Sequence, residues 1–356
     1  MASWRSHGPL LRSVSRSFYL SIRILPARLR EPVALAYLLA RTTDTVADTA
    51  RISRALRTET LRTLSNAIQG AAPRGSIDSP AAASAPIPGA HPSGSALVGS
   101  IVDLVASFAP LQENLDERTL LEFLPRSLEW LEQLSPPDRD DVRAVLQKIT
   151  QGQMLDLERF KNPAEIHGLT TAADLDEYTY LVAGCVGEFW TRVCFRHFPK
   201  FSELGEHEML DLGKRYGMGL QLINILRDAG SDLRAGRCYF PEDELTAVHM
   251  TPAQIVREPD RFQPIYRKWI EKGERGLAAG MQYSQAIRNW RVRAATVLPA
   301  LIGARTLALL RDAASTALHR KIKVPRREVR GIISSVAITL AARSQIDGMF
   351  QRFSKL

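Results

Sequence analysis

Two stretches far apart in this chain carry the same polar stripe at helical spacing, and that pairing limits the fold more than any other feature. In Tyr37-Leu-Leu-Ala-Arg41-Thr-Thr-Asp44-Thr-Val-Ala-Asp48, positions 37, 41, 44 and 48 fall on one helix face at 3.6 residues per turn. In Gln221-Leu-Ile-Asn224-Ile-Leu-Arg227-Asp228-Ala-Gly-Ser-Asp232, positions 221, 224, 228 and 232 nearly repeat the spacing. Carboxylates four apart on a mostly apolar helix repel each other and are costly to desolvate, so burying such a pair calls for a cation. Magnesium suits that demand, being a hard ion held by one or two carboxylates together with substrate phosphates. Two acidic pairs facing each other would clamp magnesium ions around one diphosphate, with Arg41 adding positive charge as the carbon–oxygen bond breaks. A single DxxxD helix is commonly just a solvated face. The second stripe has few nearby lysines to pair its acids, which is a poor design for an ordinary surface.

The rest of the chain supports a helical setting. Apolar residues at i, i+3, i+4 and i+7 mark a helix between Asp138 and Phe160, with Ser135 as N-cap and Pro136 at the first helical position. Similar spacing covers 31–48, 174–196, 206–233, 264–290, 294–318 and 326–352, while alternating strand patterns bounded by turn dipeptides are missing. The expected fold class is all-α. Residues 71–96 are almost entirely Ala, Pro, Ser and Gly and are expected to form a disordered insertion. Because the two stripes lie on either side of it, the insertion reads as a loop within one domain spanning 1–356.

Composition narrows the function classes. A net charge of +9 and a pI near 9.7 suit nucleic acid, an anionic membrane or a polyanionic substrate. With 7% aromatic residues and scattered charges, there is no basic stripe interleaved with aromatics, so no nucleic-acid partner is expected. The histidines and cysteines form no zinc spacing, so Cys185, Cys194 and Cys238 read as free thiols of a reducing, cytoplasmic compartment. No signal peptide is evident, and the longest uncharged apolar runs, 294–304 and 332–342, fall short of the roughly 20 residues that span a bilayer. Peripheral contact with the inner face of a membrane stays open.

These motifs together resemble the squalene and phytoene synthase family over nearly the whole chain apart from the insertion. Asp44 and Asp48 match the family's first acidic motif. Asn224, Arg227, Asp228 and Asp232, followed by Gly236, Arg237, Tyr239 and Pro241, match its second. Ser15-Arg16-Ser17-Phe18 resembles an element whose hydroxyls and cation lie near a substrate diphosphate; alone it would be a basic loop or a helix start. Tyr178, in a run resembling the family's YxxxVAGxVG helix, falls on a tyrosine given an acid, base or cation-guiding role, though a core tyrosine would read the same way. Gly184 and Gly187 each cost a helix about 1 kcal/mol relative to alanine, which implies a close neighbour such as an isoprenoid chain. Ser231 and Ala47 stand where many relatives carry an acid, implying altered hydrogen bonding around the metal ligands rather than their loss.

The resemblance implies a helical bundle with a central apolar cavity and a magnesium-dependent head-to-head condensation of two farnesyl diphosphates. Tyr37, Arg41, Gly184, Gln221, Asn224 and Arg227 would contact substrate, and the four aspartates would hold metal. The segment Lys321-Ile-Lys323-Val-Pro-Arg326-Arg327, after a proline-bearing helix, resembles the squalene synthase branch. There Lys323 and Arg326, with Arg237 and Asn224, would bind the phosphates of NADPH. Read without the resemblance, the segment is an exposed basic turn, and no Gly-rich dinucleotide fingerprint accompanies it. Alternatives are a synthase that stops before reduction, at presqualene diphosphate or hydroxysqualene, a dehydrosqualene or phytoene synthase, and a silent scaffold relative, whose eroded aspartates this chain does not show. A monomer is expected.

Overall fold

The computed structural model describes residues 4–49, 51–70, 94–162, 164–339 and 344–355. Helices dominate, as the apolar spacing requires. They run in order α1 (Trp4–Ile24), α2 (Ala27–Asp48), α3 (Arg54–Gln69), α4 (Gly94–Phe108), α5 (Leu115–Glu122), α6 (Leu124–Gln133) and α7 (Pro136–Arg159). There follow α8 (Ala172–Thr179), α9 (Cys185–His197), α10 (Glu206–Arg234), α11 (Glu242–Ala247), α12 (Pro259–Ala286), α13 (Trp290–Ala313), α14 (Arg326–Thr339) and α15 (Ser344–Lys355). Of the expected insertion, residues 71–93 lie outside the described residues, and its last three residues already belong to α4.

The chain clusters into two compact units, one formed by Met1–Arg16 and Ala34–Thr150, the other by Ser17–Val33 and Gln151–Leu356. In the first, Leu38, Leu39, Val46, Leu64, Trp130 and Leu146 are buried. Its helix ends are closed by short polar side chains that satisfy otherwise orphaned backbone N–H groups. Ser53 accepts from the Leu56 amide, and Asn114 accepts from the amides of Asp116 and Glu117. Ser135 caps α7 as expected: its hydroxyl accepts from the Asp138 amide at 3.4 Å and donates to the Asp138 carboxylate at 2.8 Å. Helix α3 stops at Gly70, whose φ of 74° suits a residue without Cβ.

In the second unit α10 packs against α9, α12 and α13 around a core that includes Leu226, Phe240, Phe262, Tyr266, Trp269 and Leu307. Glycines set the separation of α9 and α10. A Cβ on Gly187 would stand 1.9 Å from the Gly213 carbonyl oxygen, and one on Gly217 would stand 2.3 Å from that of Ala183, just before α9. Two of the buried phenols are satisfied by backbone, Tyr216 donating to Thr296 at 2.8 Å and Tyr266 to Leu226 at 2.9 Å.

Two departures from the sequence reading concern this unit. The expected helix over 174–196 is interrupted by a π-helical turn, Tyr180–Gly184, between α8 and α9. A short parallel ladder also forms: β1 (His167–Leu169) pairs with β2 (Arg237–Pro241), matching His167 with Arg237 and Leu169 with Pro241. Strand β2 escaped the pattern search because Cys238, Tyr239 and Phe240 are all buried, so the alternation that marks a half-exposed strand is absent.

Trp290–Leu318 is long and apolar enough to cross a membrane, but 83% of its apolar window is buried within the protein. Counting only uncharged runs missed it because Arg305 interrupts the run. That side chain is 9% exposed and is neutralised by Glu328 at 2.5 Å.

Candidate active site

In the first unit the expected stripe on α2 is a connected polar cluster. Arg41 donates to Asp44 at 2.5 Å through Nη1 and to Glu117 on α5 at 2.7 Å through Nη2. One turn earlier, the Tyr37 phenol shares a hydrogen bond with the Ser15 hydroxyl, so α1 contributes to the same cluster. Burial raises the Tyr37 pKa, with the nearby Arg41 guanidinium pulling the other way. The end of α2 is held in place: Arg57 donates to the Ala47 carbonyl at 2.7 Å, and Gln112 donates to the Thr49 hydroxyl at 2.8 Å.

Asp44 is the electrostatically strained member. Its side chain keeps 44% of its surface accessible. Crowding by surrounding protein, followed by the charge of Asp48, nevertheless pushes its pKa up to about 6, against the pull of Arg41. Asp48, one turn on, is exposed. For Arg41 burial acts to lower the pKa, and the carboxylates of Asp44 and Glu117 outweigh it, so the net shift is upward. Its Nε is buried with no hydrogen-bond partner among the described residues.

In the second unit the stripe on α10 places Gln221 and Asn224 side by side, Asn224 donating to Gln221 at 3.4 Å. Arg227 turns back on its neighbour and grips Asp228 through two hydrogen bonds, of 3.2 and 2.5 Å. Asp232 accepts from Arg237 at 2.6 Å, so the first residue of β2 closes onto the last turn of the acidic motif. For Arg237 burial is likewise outweighed, here by Tyr239, Asp232 and Asp156, and its pKa is raised.

Strand β2 also carries Tyr239 into a small aromatic group. Its ring stacks on Tyr178 at 5.1 Å between centroids, meets the edge of Phe160 at 5.2 Å, and its phenol donates to Asp156 at 2.8 Å. Burial first, then the charges of Tyr178 and Asp156, hold the Tyr239 phenol well above its ordinary pKa, so it remains a proton donor. The buried Oε1 of Gln153, one turn before Asp156 on α7, has no partner among the described residues.

The C-terminal basic segment starts beside α10. A Cβ on Gly230 would lie 1.9 Å from the Leu318 carbonyl oxygen, to which Arg234 donates at 3.1 Å. Ile322 is buried and anchors the segment, while Lys323 and Arg326 are exposed.

Most of the expected residues therefore gather within their own units: Ser15, Tyr37, Arg41, Asp44 and Asp48 in one, Tyr178, Asn224, Arg227, Asp228, Asp232 and Arg237 in the other. The side chains of Arg16, Ser17 and Phe18 lie outside the described residues. Gly184 and Gly187 do have close neighbours, and these are protein: Met218 and the Tyr180 ring for Gly184, the α10 backbone for Gly187. Within each unit, no group of three or more His, Cys, Asp or Glu suited to a metal occurs among the described residues. Glu117 and Asp156 escaped the sequence reading. Each is an acid on a helix with no spacing signature, and only its long-range partner, Arg41 or Tyr239, distinguishes it.

The squalene synthase of Saccharomyces cerevisiae is 28% identical over 234 residues, covering 66% of this chain and 44% of its own length. A bifunctional lycopene cyclase/phytoene synthase of Phaeosphaeria nodorum is 28% identical over 265 residues, covering 74% of this chain and 38% of its own. The chain thus spans less than half the length of these curated relatives. Among solved structures, a TcSQS complex with the ligand E5700 superposes with a TM-score of 0.70 at 19% identity, covering 99% of this chain and 96% of the other. A dehydrosqualene synthase in complex with ligand gives 0.62 at 20% identity, covering 95% and 96%. These likenesses establish the fold. The squalene/phytoene synthase family profile matches residues 11–328, most of the sequence, and the chain belongs to that family.

Proposed function

We propose that this protein is a squalene synthase, joining two farnesyl diphosphates head to head to presqualene diphosphate and then reducing that intermediate to squalene with NADPH. The observation that carries the reading is the retention of all four aspartates of the two family motifs within the matched span. In this reading both motifs serve one reaction.

The donor set fits magnesium. All four groups are hard oxygen donors in pairs one helical turn apart, and burial together with the charge of Asp48 raises the Asp44 pKa in spite of the Arg41 guanidinium beside it. Asp44, Asp48, Asp228 and Asp232 would hold the metal. Bound magnesium would supply the positive charge that makes the diphosphate a leaving group.

The chain's own residues do the rest. Arg41 and Arg227, each already bound to a carboxylate of its motif, are counter-ions that shift toward the diphosphate as charge develops on it. The Ser15 and Tyr37 hydroxyls, together with Ser17 and Arg16, orient its oxygens. The paired rings of Tyr178 and Tyr239 offer an aromatic face to the allylic cation left as the first diphosphate departs; the double bond of the second substrate attacks it to give a tertiary cation, and loss of a proton from the carbon that bore the leaving group closes the cyclopropane. Gln221 and Asn224 extend the polar face of α10 toward the second diphosphate.

For reduction, NADPH would deliver hydride to the rearranged cation. The residues fit its phosphates: exposed Lys323 and Arg326 lie on a segment anchored by Ile322 that begins just after Leu318, whose carbonyl lies against Gly230 of α10, and Arg237 and Asn224 lie on or after that helix. The second reading, release of an unreduced product, draws on the phytoene synthases among relatives of equal identity.

Incubation with farnesyl diphosphate and magnesium, with and without NADPH, separates the two by the hydrocarbon formed. Asp44→Asn and Asp228→Asn should each abolish turnover at every magnesium concentration with helix content unchanged. Turnover in either variant removes the metal-clamp reading. Lys323→Ala should let presqualene diphosphate accumulate, and unaltered NADPH dependence dismisses that assignment.

A further inference from the structure

A cleft of about 250 Å³ lies between α8, α10 and α12 of the second unit, on a different face of α10 from the acidic motif. Its floor is apolar, built from Leu175, Met218 and Leu222, with the Trp269 ring covered by Lys272. Helices α10 and α12 meet there through Gly219 and Gly276, where a Cβ on Gly219 would stand 2.7 Å from the Gly276 Cα. The walls are basic: Arg215, Lys272 and Arg275 line the cleft against a single carboxylate, Asp176.

These cations are not equally engaged. Lys272 pairs with Asp176 and rests over the Trp269 ring at 4.7 Å, and Arg215 pairs with Asp211 at 2.8 Å. Arg275 is exposed and makes no ion pair among the described residues. An excess of positive charge above a greasy floor complements an anionic head group attached to an apolar chain. A small inorganic anion would leave the floor uncovered. Nucleic acid would need an aromatic face to stack on, and Trp269, at 1% exposure beneath Lys272, offers none.

We propose that this cleft seats the phosphate head group and upper acyl chain of an anionic phospholipid, holding this face of the protein against a negatively charged bilayer without insertion of a helix. The inference stands on the cleft alone and does not depend on the reaction proposed above. Juxtamembrane cations each add measurable attraction to an anionic surface, and the attraction fades with salt.

The test is co-sedimentation of the full chain with vesicles of phosphatidylcholine alone or with phosphatidylglycerol added. The protein should sediment only with the anionic vesicles. R215E/R275E should reduce the bound fraction about tenfold, while R215K/R275K keeps it within about twofold. The control R267E/R311E reverses two charges on the groove between α12 and α13, where those residues lie, and should also stay within about twofold. Lys272 is left in place so that Asp176 keeps its partner, and R215Q/R275Q replaces the glutamate variant should that one fail to fold. Equal loss in R267E/R311E would show general charge attraction and overturn the proposal. Binding to phosphatidylcholine alone, no binding to either vesicle, or release by millimolar inorganic phosphate at constant ionic strength would overturn it too.

Discussion

The Tyr239 phenol donates a 2.8 Å hydrogen bond to Asp156, a residue 83 positions earlier, while its ring lies against Tyr178. The strand that follows the second acidic motif is thereby tied to α7 and to the aromatic face of the candidate site. Asp156→Ala should leave a buried hydroxyl without an acceptor, costing about 1–3 kcal/mol in denaturant unfolding. Asp156→Asn keeps an acceptor and should cost less than half as much. Turnover should fall in the alanine variant more than stability accounts for, since Tyr239 no longer holds the Tyr178 ring.

The Asp44 carboxyl gives the metal-free protein a definite pH response. Its folded pKa, about 6, lies above the ordinary 3.8, so the folded state holds this proton more tightly than the unfolded chain does. The resulting stability is fully present below about pH 4 and is lost as pH rises toward 6. Asp44→Asn should remove that part of the slope in thermal midpoints measured across the window. Asp48→Asn should lower the Asp44 pKa by removing its negative neighbour, a shift readable by carbon NMR of the carboxyl group.

The α9–α10 contact should tolerate no side chain at its centre. Gly187→Ala drives a methyl group to 1.9 Å from the Gly213 carbonyl oxygen, backbone that cannot move aside without parting the helices. A loss of about 1–3 kcal/mol or more is expected on unfolding. Gly205→Ala, where a Cβ meets nothing within 4 Å, is the control and should change stability by only a few tenths of a kcal/mol.

Arg305 and Glu328 form a mostly buried pair linking α13 to α14, with the arginine Nη1 buried and unpartnered among the described residues. Glu328→Gln should strand the guanidinium charge and cost about 3–5 kcal/mol if burial is complete, less because Glu328 is 36% exposed. The double change Arg305→Met with Glu328→Leu should recover most of the loss. A double-mutant cycle in urea reads both.

The periodicity of apolar residues carried the helical class, the longer helices from α7 onward and the two polar stripes, because 3.6-residue spacing is a local property of a sequence, but it marked none of α1, α3, α4, α5 and α6. It also yielded Arg41 and Asp44 as neighbours, since three residues on one helix must lie on one face. It did not reveal Glu117 or Asp156, whose importance comes from partners tens of residues away. Nor did it reveal β2, whose burial on both faces erases the alternation that would have exposed it, or the π-turn, whose residues still read as helix. Glycine 187 was legible as a close approach, but whether a lipid chain or a helix approached was decided by packing. Local sequence specifies what each element can present. Which elements meet, and therefore which acid binds which base, is set by the burial of apolar surface over the whole fold, and no short window of sequence contains it.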